Sequence, residues 1–359
     1  MKKFLTLTAA SALAFYMTAC SDNSTSADDD PLKPGSVYVF GSDYKAGELR
    51  WVNEDGVSDK SVQFNQDSKI VGIDGNLFVL ERLGADNLSL VDASENKVKW
   101  QVELDDGANP SDVVKADKDE VWVALEGAAK FVKVAVKDGK ITKTVETKKF
   151  NQGKATTPNL VDLEVSGDTL FALFQRSENY AYPAPGLLAL YKLSNGDLLD
   201  TIKLAKKNPM AMGFAKGKLY VASQGEYNES NGTDADDKRG IEVVDFGKKN
   251  TSVVVDGKKL GGGVYAFAVD SEEGVAYAAV YKGFGDVPLM KVDLSKKDAK
   301  AVSDVNDVEG SLFFDDVDGV LYVGDRGSKG GLYKYDNGKV TKIESPKEML
   351  PVYNITIVR

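Results

Sequence analysis

The chain has 359 residues, with 45 Lys and Arg, 55 Asp and Glu, one Cys and no His, and its formal net charge is −10. Without imidazole there is no Ser-His-Asp or Cys-His dyad, no His-ligated zinc and no His-ligated haem. A single cysteine excludes an intramolecular disulfide and a thiolate-rich metal site. The negative charge argues against a nucleic-acid partner, because phosphate contacts need a basic face. We therefore expect no nucleic acid and no cofactor.

The first 19 residues have the features of a secretory signal peptide. Lys2 and Lys3 give a positive start, and the apolar run at 4–16 is shorter than the ~20 residues that a transmembrane helix needs. Residues 17–20, with the sequence MTAC, end in the only cysteine, Cys20. They resemble the lipobox of bacterial lipoproteins, apart from Met at its first position. The resemblance implies that residues 1–19 are removed and that acyl chains such as palmitate on Cys20 hold the protein on a membrane.

Residues 20–35 predict an acylated cysteine followed by a disordered, acidic tether. Ser21, directly after the cysteine, resembles a signal for sorting to the outer membrane. We therefore expect a protein that is lipid-anchored in the outer membrane and faces the periplasm or the cell surface. The other interpretation of this segment is an ordinary secretory signal with an incidental cysteine.

From residue 36 onward, one unit of strands and turns recurs seven times. Each copy contains an apolar strand centred on an aromatic residue, and consecutive aromatic residues are 40 to 57 positions apart. A period near ~45 residues with four short strands per unit is typical of a β-propeller blade. The seven aromatic residues are Tyr38, Phe78, Trp122, Phe171, Tyr220, Tyr277 and Tyr322.

Another strand precedes the aromatic strand in every copy except the first. The C-terminal residues 353–358 have the same pattern, so we predict that this strand completes the first blade and leaves no free edge. The predicted fold class is all-β, a single seven-bladed β-propeller over residues 36–359 that is closed by the C-terminal strand pairing into the N-terminal blade. The six preceding strands are predicted at residues 68–73, 111–116, 160–165, 211–215, 264–269 and 310–314.

Parts of this repeat resemble the YVTN (YncE-like) family of seven-bladed propellers. The matching residues are LVDASENKV at 90–98, NPSDV at 109–113 and LYVA at 219–222. The resemblance covers the architecture of residues 36–359, whereas blade one and the Thr-Gly turns depart from the family pattern. It implies a WD40/YVTN repeat-like propeller, of the kind found in the quinoprotein amine dehydrogenase β-chain, that lies outside the cytoplasm and is usually non-catalytic. It carries over no site residue.

Long loops on one face of the predicted propeller are the first candidate binding site. The loops between the second and third strands are long in blades four, five and six, and long loops in compact domains are usually functional. Tyrosines beside Arg, Asn and Gln suit a sugar ring or a protein partner equally. The alternative is that the rings only pin the loops together. The candidate residues in these loops are Arg176, Glu178, Tyr180, Tyr182, Gln224, Tyr227, Tyr281, Lys282 and Phe284.

A second candidate is a ring of polar residues just past each aromatic strand, near the predicted channel mouth. Acids and arginines together suit a polar ligand, and the alternative is a solvated rim that neutralises itself. Arg82 and Arg326 join this ring, together with Arg176, Gln224 and Lys282.

These features favour a monomeric, membrane-anchored, non-catalytic lipoprotein that binds a glycan, peptide or protein partner through the loops of blades four to six. The alternative is a glycosidase- or lactonase-like hydrolase that uses loop carboxylates. An assembly subunit comparable to barrel-assembly lipoproteins is a third interpretation, but those proteins usually have eight blades. The acidic turn at 315–319 lacks the downstream Glu of a calcium loop, and the acids of the blade-five loop leave calcium open there. The carboxylates open to the hydrolase interpretation are Glu81, Glu126, Glu178 and Glu226.

Overall fold

A computed structural model describes residues 35–93, 95–226, 238–309, 311–327 and 330–359. Cys20, the tether up to residue 34 and Tyr227 lie outside these ranges. Nearly all regular structure in the described ranges is β, apart from the 3₁₀ turn Lys148–Phe150 and the four-residue helix α1 (Gly257–Leu260). Within the same ranges, no helix is long and apolar enough to cross a membrane.

Seven small antiparallel sheets form the seven blades of a β-propeller, which confirms the predicted fold class. In blades two to seven, four consecutive strands follow one another outward, and the first strands of neighbouring blades contact each other around the centre. Blades two to four contain β5 (Ser68–Ile73), β6 (Asn76–Glu81), β7 (Asn87–Asp92) and β8 (Lys97–Glu103); β9 (Pro110–Lys115), β10 (Glu120–Leu125), β11 (Lys130–Ala135) and β12 (Ile141–Glu146); and β13 (Leu160–Ser166), β14 (Thr169–Phe174), β15 (Leu187–Lys192) and β16 (Leu198–Lys203). Blades five to seven contain β17 (Pro209–Ala215), β18 (Lys218–Ser223), β19 (Gly240–Asp245) and β20 (Asn250–Asp256); β21 (Gly263–Asp270), β22 (Val275–Tyr281), β23 (Leu289–Asp293) and β24 (Asp298–Ala301); and β25 (Leu312–Asp315), β26 (Val320–Asp325), β27 (Gly331–Asp336) and β28 (Lys339–Lys342).

Blade one is built from both ends of the propeller sequence. The C-terminal strand β29 (Val352–Val358) takes the innermost place and pairs antiparallel with β1 (Ser36–Ser42), with Val39 opposite Ile355. The predicted closure is therefore confirmed, and it removes the edge that an open ring would leave. The outer strands of blade one are β2 (Gly47–Asn53), β3 (Gly56–Val57) and β4 (Val62–Phe64).

The hydrophobic core is divided into clusters that lie between neighbouring blades. In β6, Leu77 and Val79 pack toward blade one, whereas Phe78 and Leu80 pack toward blade three. The second strand of a blade is therefore buried on both faces, and this is why it reads as an unbroken apolar run in the sequence.

The repeated aromatic residue joins its blade to the next one. Trp122 is fully buried between blades three and four, and its Nε1 donates to the carbonyl oxygen of Leu193 at 2.8 Å. Tyr38 does the same between blades one and two, where its hydroxyl donates to the carbonyl oxygen of Ala93 at 3.2 Å. Each ring buries a large apolar surface while its polar tip finds a partner, so the repeat serves packing between blades.

Candidate functional site

One face of the propeller carries two kinds of connection. Because successive strands alternate in direction, the loops between second and third strands emerge on the same side as the loops that join one blade to the next. We call this side the loop face. The axial channel opens at its centre.

The blade-four loop ends in a two-residue hairpin tip on the loop face. The N–H of Glu178 donates to the carbonyl oxygen of Ala181 at 2.9 Å, and the N–H of Ala181 donates back to that of Glu178 at 3.0 Å. Asn179 and Tyr180 form the tip with φ of 51° and 61°. Glycine usually takes the second position of such a turn, and a residue with a side chain there costs roughly 1 kcal/mol. The ring of Tyr180 projects from the tip and is 99% exposed.

The blade-six loop presents a second ring in the same way. The N–H of Asp286 donates to the carbonyl oxygen of Gly283 at 3.1 Å, and these two residues form an isolated antiparallel bridge. Phe284 and the glycine after it form the tip, and the ring of Phe284 is 96% exposed. Lys282, at the base of this loop, is also exposed. Two large rings thus stand on short, hydrogen-bonded hairpins with their surfaces in water.

Other candidate residues of blade four hold the loop in place. The guanidinium of Arg176 donates to the carbonyl oxygen of Phe150 at 3.3 Å and to Oε1 of Gln152 at 2.8 Å. Oε1 of Glu178 accepts the backbone N–H of Lys154 at 2.8 Å. Both charged groups therefore bind the segment that leads into blade four.

Tyr182 and Gln224 have comparable positioning contacts. Tyr182 is half-buried behind the hairpin tip, and this burial raises its pKa to about 12. Its N–H donates to Oε1 of Glu226 at 3.4 Å, and the Glu226 carboxylate also pairs with Lys207 at 2.8 Å. That pairing lowers the pKa of Glu226. Oε1 of Gln224 accepts Nδ2 of Asn208 at 3.2 Å.

Arg82 and Arg326 lie around the channel mouth, where each pairs with an acid. Nη2 of Arg82 lies 2.7 Å from Oε2 of Glu126, and its Nε donates to Oδ1 of Asn109 at 3.2 Å. Nε of Arg326 lies 3.3 Å from Oε2 of Glu309. At these two positions the polar ring neutralises itself, as the alternative interpretation of the sequence has it.

Aromatic rings surround the same mouth. The guanidinium carbon of Arg326 lies 4.9 Å from the ring centroid of Tyr44 and 5.7 Å from that of Tyr353. Tyr281 lies against Tyr265, with 6.2 Å between ring centroids. Tyr281 therefore belongs to the channel mouth, whereas the other rings of blades four and six belong to the hairpin loops.

The channel itself contains charged residues that the sequence analysis did not single out. Lys69 on β5, Asp112 on β9, and Asp162 and Glu164 on β13 line it, and each is half-buried. The sequence feature that could have identified them is a charged residue within an otherwise apolar innermost strand. A strand pattern alone does not say that such a charge faces the axis of a ring.

Asp112 and Asp162 form a hydrogen-bonded pair between blades three and four. Asp112 also accepts the N–H of Leu163 at 2.9 Å, and Asp162 accepts the N–H of Met212 on the next blade at 2.7 Å. Burial raises the pKa of both carboxyls, and the charge of Asp112 raises that of Asp162 further. The pair therefore retains a proton above the usual range of carboxyl groups.

Glu164 and Lys69 respond to the same burial. Burial raises the pKa of Glu164 to about 8, and the charge of Asp112 adds to this shift. Burial lowers the pKa of Lys69, whose Nζ donates to the carbonyl oxygen of Ser111 at 3.1 Å. The low-dielectric surroundings thus oppose charge of either sign in the middle of the channel.

Two adjoining cavities, each of about 480 Å³, lie along the channel. The upper one opens on the loop face beside Arg82 and Glu309, and the lower one ends beside Asp316 at the opposite face. Both are lined by Glu164 and Phe267, which lie at mid-depth.

The loop carboxylates that a hydrolase would need are each engaged by a different partner. Among the hydrogen bonds and ion pairs described for these four residues, none links one carboxylate to another. The contacts are Glu81 with Gln101 and Ser89, Glu126 with Arg82 and Asn109, Glu178 with the N–H of Lys154, and Glu226 with Lys207.

Comparison with known proteins identifies the fold. No family model and no curated protein matches the sequence. A 6-phosphogluconolactonase candidate from Bacteroides fragilis matches with a TM-score of 0.57 and 13% identity over 94% of this chain and 100% of its own. AztD from Citrobacter koseri matches with a TM-score of 0.56 and 12% identity, over 91% of this chain and 98% of its own. The dihydro-heme d1 dehydrogenase NirN matches with a TM-score of 0.56 and 15% identity, over 95% of this chain and 78% of its own. At such low identity these similarities establish the propeller fold alone.

Proposed function

We propose that this protein is a membrane-anchored, non-catalytic propeller lipoprotein that binds a protein partner through its loop face. The contact residues are the hairpin tips of blades four and six. The observation that carries the proposal is the nearly complete exposure of Tyr180 and Phe284, at 99% and 96%, on two hydrogen-bonded hairpins.

The surroundings of these rings favour a protein over a glycan. A sugar needs hydrogen-bonding groups beside the ring on which it stacks, and Nε and Nη2 of Arg176 and Oε1 of Glu178 already bind residues 150–154. Phe284 has no polar group of its own and lies between two glycines. Rigid aromatic anchors that enter pockets of a partner are typical of the energetic centres of protein–protein interfaces.

The shape of the two loops supports the same proposal. Both tips are closed by backbone hydrogen bonds, so little conformational entropy is lost when a partner covers the rings. The backbone of Tyr180 adopts a φ of 61° at a position where glycine would be easier. Within the protein, the exposed ring of Tyr180 gains no packing energy that would offset this backbone strain. Contact of the ring with a partner would supply that energy.

The proposed lipid anchor at Cys20 precedes β1, and the direction of β1 determines on which face of the propeller the tether arrives. The resemblance of residues 17–20 to a lipobox supports acylation and an outer-membrane location, on the periplasmic or cell-surface side. Ser36 begins β1, which is the second strand of its blade and runs toward the loop face. A tether that enters at Ser36 therefore joins the propeller on the face opposite the loop face. Cys20→Ala should move the protein from the membrane fraction to the soluble fraction, and continued membrane retention would count against the anchor.

The hydrolase alternative has less support. The four loop carboxylates are each engaged by a different partner. Asp112 and Asp162 are likewise engaged, because Asp112 accepts the N–H of Leu163 and Asp162 accepts the N–H of Met212. The similarity to the 6-phosphogluconolactonase candidate is one of fold.

The binding proposal is tested by chemical cross-linking in cells that make the full chain. The double variant Tyr180→Ser/Phe284→Ser should lose about tenfold or more of the principal cross-linked protein partner, because the apolar anchors are gone. The matched control is Val317→Ser, which removes a 71% exposed apolar side chain from a turn on the opposite face. Retention of the partner by the double variant would overturn the proposal.

A further inference from the structure

Acidic residues outnumber basic residues along the whole axial channel. These acids lie at three depths. Glu309 precedes β25 at the loop face, and Asp316 follows β25 at the opposite face. Asp162 and Glu164 on β13 lie between these two levels. The acids that line the channel are Glu309, Asp112, Asp162, Glu164 and Asp316, and the bases are Lys69 and Arg82.

The two bases do not neutralise the middle of the channel. Arg82 is held by Glu126, which is not among the residues that line the channel. Lys69 is then the one cation among the lining residues that faces Asp112, Asp162 and Glu164. Ionisation of all three carboxyls therefore needs positive charge from a ligand.

The opposite wall of the channel is aromatic. Tyr265 and Phe267 on β21 and Phe313 on β25 belong to blades six and seven, and the mid-channel acids belong to blades three and four. In a seven-membered ring these blades face each other across the axis. Ring faces attract organic cations and accept hydrocarbon chains.

These features favour an organic cation over a metal ion. Within the described residues, no group of three or more His, Cys, Asp and Glu side chains is arranged to hold a metal. A hydrated metal ion would also gain little from the aromatic wall, whereas an alkylammonium group uses both walls.

We propose that the axial channel binds a linear aliphatic polyamine. Its ammonium groups pair with Asp112, Asp162 and Glu164 at mid-depth and with Asp316 at the opposite face, because Glu309 is already held by Arg326, and its methylene segments pack on Phe267 and Phe313. The two cavities adjoin along the axis, since Glu164, Phe267, Leu312 and Phe313 line both of them. This site lies inside the ring and does not depend on the partner proposed for the loop face.

The test is calorimetric titration of the purified full chain with spermine. Glu164→Gln and Asp162→Asn should each weaken binding by about tenfold or more, because a charge-assisted hydrogen bond is lost. Both replacements keep an oxygen acceptor, and circular dichroism confirms that the variants are folded. The control Glu273→Gln changes an exposed acid outside the channel and should bind spermine as the unmodified protein does. No binding of spermine, or equal binding by all variants, would overturn the proposal.

A second readout is the pH dependence of the same titration. Spermine stays protonated below about pH 9, whereas Glu164 is mostly protonated below its pKa of about 8 and must release a proton when it pairs. Affinity should therefore rise as the pH increases from about 6 to about 8, with protons released on binding. Affinity that falls or stays constant over this range would contradict the proposal. The other titratable and charged groups that line the channel are Lys69, Arg82, Asp112, Asp162, Tyr265, Glu309, Asp316 and Tyr353.

Discussion

Glu164 illustrates how a single side chain depends on the closure of the ring. It lies at mid-depth in the channel, where both cavities touch it, and burial opposes its ionisation more strongly than any other influence. The nearby charge of Asp112 acts in the same direction. The result is a carboxyl group whose pKa lies at about 8 in the folded protein.

This raised pKa makes stability depend on pH. The folded protein keeps the Glu164 proton up to about pH 8, whereas the unfolded chain loses it near the ordinary glutamate pKa of 4.5. The stabilising contribution is therefore complete below about pH 4.5 and is lost as the pH rises toward 8. Glu164→Gln cannot ionise, so at about pH 8 we expect its free energy of unfolding to exceed that of the unmodified protein by roughly 4 kcal/mol.

Urea unfolding at about pH 5 and about pH 8 provides the measurement. The difference between Glu164→Gln and the unmodified protein should be larger at the higher pH. Glu273→Gln, at an exposed site, should show no such dependence. An equal difference at both pH values would show that the Glu164 proton is not linked to folding.

Among the secondary-structure elements, β29 contributes most to closing the ring. It pairs with β1 along its length and also binds β5 of the next blade through side chains. Oδ1 of Asn354 accepts the N–H of Ile70 at 2.7 Å, and Oγ1 of Thr356 accepts the N–H of Gly72 at 2.9 Å. One strand therefore joins blade one to blade two as well as the C-terminus to the N-terminus.

Asn354→Leu should lower the free energy of unfolding by roughly 1 to 3 kcal/mol, because it leaves the buried N–H of Ile70 without its acceptor. The measurement is the urea midpoint of the full chain. Asn250→Leu is the matched control, since Asn250 is exposed at the start of an outermost strand. Equal midpoints for the two variants would contradict the role assigned to β29.

The sequence predicted the blades well because their signal is local. A second strand that is buried on both faces must be apolar throughout, so Leu77 to Leu80 and its counterparts can be recognised without knowing the fold. The predicted inner strand at residues 68–73 coincides with β5, and closure by residues 353–358 followed from the missing strand of blade one. These inferences needed only periodicity and the count of strands.

The channel could not be predicted in the same way. Asp112 and Asp162 are far apart in the sequence and meet because their blades are neighbours in the ring. The hydrogen-bond partners of Arg176 and Glu178 could not be predicted from the sequence either, because most of them are backbone groups of a loop that carries no recognisable motif. Sequence patterns identify which residues are charged, whereas the partner of each charge is set by tertiary contacts.

For the whole molecule, the two faces of the propeller have different roles in our proposal. β1 begins on the face opposite the loop face, so the proposed lipid tether and the proposed binding surface lie on opposite sides. The hairpins of Tyr180 and Phe284 belong to the loop face, which is the proposed binding surface. This arrangement lets an anchored protein present both rings to a partner.

Site-specific photo-cross-linking of the full chain in intact cells tests the loop-face proposal most directly. A photoreactive benzoyl-phenylalanine replaces Tyr180, Phe284 or, as a control on the opposite face, Val317, which are all largely exposed. We expect the same protein adduct from positions 180 and 284 and none from position 317. Equal adducts from all three positions, adducts that contain carbohydrate and no protein, or no adduct from positions 180 and 284 would contradict binding of a protein partner at the loop face.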